Sequence, residues 1–212
     1  MLEYEKIYCK DYKLIAGCDE AGRGCCAGPL VVASVIMDPN YKNDEINDSK
    51  KLSESKRNML FEEIKKNALG FSIAILDNKK VDDINPKQAS KFGMYTCIKQ
   101  LPLKPDLIIT DYEKIEGIDI PQINLVKGDS LSFNVACASI LAKVTRDRKM
   151  LEYDKIYPKY GFKKHKGYCT KDHTAALLKY GISPIHRLSY KNVKIALDLQ
   201  NNNNNVEQFK ED

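Results

Sequence analysis

Apolar residues along the chain fall into two spacings. Leu14–Asp19 and Leu30–Met37 are short apolar runs, the second rich in β-branched residues, and both predict strands. Asp38-Pro39-Asn40 stops the second, and residues 40–51 read as a polar loop. Ser53 caps a predicted helix whose Leu60, Phe61 and Ile64 lie at helical spacing and which Gly70 ends. Phe71–Asp77 alternates as a strand. Asn85-Pro86 opens a further helix with proline in its first turn. That helix carries Ala89, Phe92, Met94, Tyr95 and Ile98 and is closed by Pro102 and Pro105. Leu107–Asp111 and Gln122–Val126 predict two more strands. A long helix is expected from Ser130 to about Tyr153, apolar nearly all round in its first half, which predicts burial against a sheet. Its second half, Arg146-Asp147-Arg148-Lys149, turns polar and is expected to emerge into solvent. Residues 157–170 form a basic, aromatic loop, Thr170 begins a helix through Leu178, and Tyr190–Leu199 is amphipathic.

Strands interleaved with helices predict an α/β domain with a mixed central sheet flanked by helices and a C-terminal helical portion. The tight link between the first two strands suits antiparallel pairing. Helical crossovers suit parallel pairing of the later ones. One catalytic domain is expected over residues 1–199, followed by an Asn-rich tail, 200–212, read as disordered. A chain of 212 residues is long enough to bury a core without staples. The net charge of +5 is compatible with a polyanionic partner. Seven cysteines, with no Cys-x-x-Cys pair among them, suit a reducing compartment. No apolar run reaches the ~18 residues of a membrane span, and Met1–Lys6 lacks the apolar core of a signal peptide. A cytoplasmic location and a monomer are expected.

Three acids recur at strand ends: Asp19, Asp111 and Asp129, with Glu20 beside the first. Strand ends are where sites gather in α/β sheets. Clustered carboxylates are unfavourable unless neutralised, and oxygen-only ligands suit a hard cation, magnesium or manganese. Each acid alone also fits a plainer role. Asp19-Glu20 followed by Gly22-Arg23-Gly24 reads as a charged turn, Asp111 as a strand-terminal turn residue, and Asp129 as a helix cap. Asp48-Ser49-Lys50-Lys51-Leu52-Ser53 reads as a phosphate-contacting loop or a solvated helix entrance. Lys163-Lys164-His165-Lys166-Gly167-Tyr168 combines cations with an aromatic ring, as nucleic-acid surfaces do, and equally suits a solvated loop. His165, His173 and His186 show no zinc spacing and read as structural.

Taken in order, these segments resemble the type 2 ribonuclease H family, ribonuclease HII. The resemblance rests on Asp19–Gly24, Ala27-Gly28-Pro29, Asp48–Ser53, Lys127-Gly128-Asp129, Ala138–Arg148, His165–Tyr168 and Ser183–Arg187, spanning roughly residues 14–190. It implies a ribonuclease H-like fold and a metal-dependent endonuclease. Its substrates would be RNA–DNA hybrids and duplex DNA containing single ribonucleotides, for primer removal and ribonucleotide excision. It further implies that Asp19, Glu20, Asp111 and Asp129 are catalytic and hold two Mg2+ or Mn2+ ions. Gly22, Arg23 and Gly24 would contact the ribose 2′-hydroxyl and adjoining phosphate, and Tyr168 would stack on the following deoxyribose. Ser49, Lys50, Lys51 and Lys166 are taken as further substrate contacts.

Two departures stand out. Tyr112 follows Asp111 where the family has Gly or Ala, and Cys25-Cys26 follows Gly24 where bulkier apolar residues are common. The few residues before the first motif set the chain apart from ribonuclease HIII, which carries a long N-terminal extension. Gln208-Phe209 is too little for a clamp-binding motif.

Overall fold

The structure, a computed structural model, describes residues 3–208, with side chains as far as residue 201. Five strands form one mixed sheet in the order β3-β2-β1-β4-β5. They are β1 (Ile15–Ala21), β2 (Leu30–Met37), β3 (Ala68–Leu76), β4 (Leu107–Asp111) and β5 (Gln122–Leu125). The first three pair antiparallel, and β4 and β5 add in parallel to β1. This is the expected mixed architecture.

Helices cover both faces. On one face lie α2 (Glu54–Asn67) and α5 (Phe133–Ile156), which enclose Val31, Val35, Leu60, Ile64 and Ile140. On the other lie α3 (Asn78–Ile84) and α4 (Pro86–Gln100), over Leu30, Val32, Met94 and Ile108. Alternate residues of β2 thus serve two cores, which is why the strand is apolar throughout. The first half of α5 is buried as its all-round apolar character requires, but in the second half Arg146 and Asp147 are buried too rather than emerging, Arg146 because backbone carbonyls satisfy its guanidinium. Gly17 of β1 permits the closest approach of sheet to helix: a β-carbon there would sit 2.1 Å from the Asn134 carbonyl carbon.

Several elements differ from expectation. The lead-in holds a short helix, α1 (Tyr4–Tyr8), fixed by a distant contact. Glu5 accepts from Ser132 Oγ and from the backbone of Phe133 and Asn134 at the start of α5. The helix after Ser53 runs directly into β3 at Ala68, because Met37 pairs with Ala68 across a bulge and draws the chain into the sheet before Gly70. Residues 112–121 join β4 to β5 without the expected helical crossover. The C-terminal portion contains α6 (Phe162–His165), α7 (Lys171–Tyr180) and α8 (Lys191–Gln208). The last continues through the asparagine run expected to be disordered. Val193 and Ala196 anchor its first turns in a small core, and no Gly or Pro follows to break it. Of the two residues weighed as a clamp motif, Phe209 lies outside the described residues. No described helix is long and apolar enough to cross a membrane.

Candidate active site

Register builds the centre of the site. β1 and β4 pair as far as Cys18 opposite Thr110, so the next residues, Asp19 and Asp111, face each other where the two strands part. Asp129 arrives from a 3₁₀ turn, Gly128–Ser130. Carboxylate oxygens of Asp19, Asp111 and Asp129 all lie within 4.8 Å of one another. The capping role for Asp129 is excluded: Ser132 caps α5, accepting from Val135 N–H. Backbone donors hold two of the acids, Glu20 N–H to Asp19 at 2.7 Å and Gly128 N–H to Asp111 at 2.8 Å.

Contrary to expectation, β1 does not end at Asp19. It stays paired through Ala21, so Asp19 and Glu20 point to opposite sides of the strand. Glu20 is therefore not one of the three converging acids. It neighbours Asp111, Glu113, Arg23 and Lys50, and its Oε2 is buried without a hydrogen-bond partner.

These carboxyls resist ionisation. Burial, then Glu20 and Asp111, push Asp19 well above the usual carboxylate range, against a hydrogen bond from Ser139. Burial pushes Glu20 up to about 7, with Arg23 opposing and Asp111 and Glu113 assisting. Asp111 is also raised, by burial and by Asp129. One cation leans in: Lys50 Nζ lies 3.4 Å from Asp129 Oδ2. Burial works against the Lys50 charge, but Asp129 and Asp19 outweigh it and its pKa rises. The donor set is all oxygen, three acids converge, and a fourth presents an orphaned oxygen. That is the coordination chemistry of a hard divalent cation, so Asp19, Glu20, Asp111 and Asp129 fit such an ion.

Gly22-Arg23-Gly24 follows directly after β1. Gly22 has φ +93, and a β-carbon there would lie 2.0 Å from Arg146 Nε. The chain itself demands glycine at that point. Gly24 differs: a β-carbon there would meet nothing within 4 Å. The Arg23 guanidinium pairs with Glu113 at 2.9 Å and approaches Glu20 at 3.8 Å. Two fully buried arginines hold the turn from beneath. Arg146 donates to the carbonyls of Pro29, Ala27 and Lys166, and Arg187 to those of Gly28 and Arg23. Neither forms an ion pair among the described residues. Cys25 and Cys26 are wholly buried, and their thiols do more than fill space: Cys26 Sγ donates to the Gly167 carbonyl at 3.6 Å and accepts from Asn192 Nδ2 at 3.4 Å.

The remaining predicted contacts separate. Ser49 is buried and shares a 2.9 Å hydrogen bond with Ser139, so it braces the acid-bearing wall. Lys51 is exposed beside it. Lys166 and Tyr168 line an open cleft of ≈ 400 Å³ with Arg57, Lys143 and Asp147. The Tyr168 ring, 42% exposed, lies 5.8 Å from both Lys143 Nζ and the Arg146 guanidinium carbon. Its hydroxyl hydrogen-bonds the Cys25 thiol, which ties the tyrosine to the glycine-arginine turn.

Sequence reasoning missed Glu113 and, while reading the three histidines as structural, did not foresee that they meet. Glu113, the partner of Arg23, was not singled out, although its place two residues beyond Asp111 was a visible signal. The three histidines form one cluster behind Tyr168. Ser183 N–H donates to His186 Nδ1 at 2.8 Å, which assigns the proton of that ring to Nε2. His186 Nε2 then donates to His173 Nε2 at 3.0 Å, and His173 Nδ1 to the Tyr168 carbonyl at 2.9 Å. His165 stacks on His173 with ring centroids 4.2 Å apart. Burial holds all three neutral, with His173 and His186 lowered to about 4.

With this geometry in place, comparison with known proteins is direct. The ribonuclease HII family profile matches residues 16–193. Ribonuclease HII of Mycoplasma mycoides subsp. mycoides SC is 55% identical over 181 residues, covering 85% of this chain and 87% of that protein. Ribonuclease HII of Clostridioides difficile is 52% identical over 187 residues, covering 88% and 73%. The crystal structure of ribonuclease H2 from Pyrococcus horikoshii superposes with a TM-score of 0.76 at 24% identity, covering 87% of this chain and 97% of that one, and shows the same fold. A sheet edge bearing clustered aspartates, beside an immobilised Gly-Arg-Gly turn and within this extent of sequence identity, places the chain in the ribonuclease HII family of metal-dependent type 2 ribonucleases H.

Proposed function

We propose that this protein is a monomeric endonuclease that cuts the RNA strand of RNA–DNA hybrids and the 5′ side of single ribonucleotides in duplex DNA. The products are a 3′-hydroxyl and a 5′-phosphate, suited to ribonucleotide excision and primer removal. One observation carries the reading: Asp19, one of the three converging acids, and the Gly22-Arg23-Gly24 turn lie on one continuous segment, with open space at Gly24. Asp19, Glu20, Asp111 and Asp129 would hold two magnesium or manganese ions, which when bound would supply Lewis-acid charge and lower the pKa of an attacking water.

The chain's own residues do the rest. Arg146 and Arg187 fix the turn in advance, so its backbone meets the sugar without reorganising. The vacant volume at Gly24 admits a ribose, and the 2′-hydroxyl is the one group that separates RNA from DNA there. The 2′-hydroxyl is a handle and not the nucleophile, so no 2′,3′-cyclic phosphate forms. Tyr168, backed by its histidines, stacks on the deoxyribose that follows and senses the RNA-to-DNA junction. Lys50, Lys51 and Lys166 meet phosphates, while Ser49 supports the wall behind them.

The test uses two labelled duplexes, one with a single embedded ribonucleotide and one with a long RNA strand, in magnesium and in manganese. Cutting of both, lost in Asp19→Asn and Asp111→Asn, is expected. Tight binding without cutting in either metal would make the protein a nucleic-acid-binding module, and cutting only the long hybrid would remove the junction-directed activity. Tyr168→Ala is expected to slow single-ribonucleotide cleavage more than long-hybrid cleavage. Equal loss on both would remove its junction role.

A further inference from the structure

One aromatic residue beside the acids is held in a backbone conformation for which its own side chain gives no reason. Tyr112, directly after Asp111, has φ +69. Glu113 N–H donates to Asp111 O at 2.9 Å across it, closing a three-residue turn of the rarer, strained hand. A bulky side chain in the left-handed region is unfavourable, and such outliers cluster where they serve a site. The turn has a clear product: it aims Asp111 at the acid cluster and buries Glu113 against Arg23. Glycine would make the same turn without strain. The tyrosine side chain contributes nothing visible to the fold. It is 63% exposed and makes no hydrogen bond or ring contact among the described residues.

Its surroundings indicate what meets it. Tyr112 N–H donates to Leu125 O, which sets the residue beside the loop after β5. There Val126 is 66% exposed, and Leu131, beyond Asp129, is 44% exposed. Two exposed lysines, Lys114 and Lys127, flank the patch and form no ion pair among the described residues. A small apolar surface, rimmed by free cations and bordering a cluster built for phosphate chemistry, is complementary to a nucleic-acid strand.

We propose that Tyr112 is a substrate-stacking residue, its ring lying against a base or sugar of the bound duplex next to the scissile phosphate. Resting on the endonuclease reading above, this adds a second aromatic contact, separate from Tyr168, which packs by Cys25 and Arg146. The strain of the turn is then retained because the ring binds substrate.

Glycine and phenylalanine variants separate stacking from folding. Tyr112→Gly removes the ring and relaxes the turn, so its melting temperature is expected to equal or exceed that of the wild type. Its dissociation constant for the single-ribonucleotide duplex, read by fluorescence anisotropy in EDTA, is expected to rise about tenfold, as loss of one stacked base predicts. KM in magnesium should rise in parallel, with kcat within about twofold. Tyr112→Phe should bind and cut like the wild type. Wild-type affinity and KM in Tyr112→Gly would overturn the proposal, as would a fall in kcat and melting temperature with KM unchanged, which would mark a residue that merely positions Asp111. The binding measurement stands apart from cleavage. A wild type that binds but never cuts defeats the endonuclease reading, whereas tenfold weaker binding by Tyr112→Gly would still place the ring on the nucleic acid.

Discussion

Removing the charge of Glu20 should make the metal-free protein more stable while abolishing its activity. Burial and the neighbouring acids hold the Glu20 carboxyl at about 7, against 4.5 for the free side chain. At ~1.4 kcal/mol per pKa unit, an ionised Glu20 opposes folding by about 3 kcal/mol at pH 8. Glu20→Gln keeps the shape, removes that term and returns part of it as the desolvation of an amide, ~1 kcal/mol. A net gain of about 2 kcal/mol remains, or roughly 5 °C for a chain of this size. The sign fixes the pH window. The folded-state value lies above the unfolded one, so the wild type gains stability as pH falls from above 7 towards 4.5. The advantage of the variant must shrink across that window and reverse below it, where only the amide cost of ~1 kcal/mol remains. Urea unfolding in EDTA at pH 8, 6 and 4.5 measures the difference, and contributions common to both proteins cancel. Added magnesium should stabilise the wild type more than the variant. A variant less stable than the wild type at pH 8, or an advantage independent of pH, would refute the account of the site as repelling charge awaiting a cation.

Other consequences are as direct. Gly22→Ala must push a β-carbon into Arg146 at φ +93, and a loss of roughly 3 kcal/mol or more is expected on urea unfolding. Gly24→Ala should melt like the wild type, since nothing in the described chain lies within 4 Å of the added β-carbon, but lose at least about tenfold in single-ribonucleotide cleavage if substrate enters that space as proposed; wild-type cleavage would refute this. The histidines give acid sensitivity of the opposite sense to Glu20. His186 lies at about 4 when folded against 6.5 when free, so its contribution is full above pH 6.5 and is lost as pH falls to 4. His186→Gln should therefore flatten the stability profile between pH 6.5 and 4 by about one proton, ~1.4 kcal/mol per pH unit. An unchanged slope would show that the cluster is solvated.

How far the sequence reached depended on the range of the interaction. The strands and α5 were legible because burial writes itself into spacing: β2 is apolar throughout and packs on both faces. Short elements held by distant partners were not. Nothing in Tyr4–Tyr8 announces that Glu5 will seat on the start of α5, over a hundred residues away. In the site, the four acids and the Gly-Arg-Gly turn were visible from their ordered motifs. What escaped was geometry: pairing with Val32 carries β1 past Glu20, so the two neighbouring acids diverge. The Arg23–Glu113 pair is likewise a product of the turn at Tyr112, whose conformation a tyrosine does not advertise.

The buried arginines give the enzyme a property that its surface lysines cannot. Among the described residues Arg146 and Arg187 answer backbone carbonyls and the Tyr190 hydroxyl but no carboxylate, so two positive charges stand under the turn proposed to read the sugar. Salt screens Lys50 and Lys51 at the surface but reaches charges sealed from water far less. On the proposed function, rising ionic strength should strip away indiscriminate attraction to any duplex and leave the ribose-directed contact nearly intact. The ratio of affinities for ribonucleotide-containing and plain DNA should widen with salt, making this protein most selective where it binds least tightly.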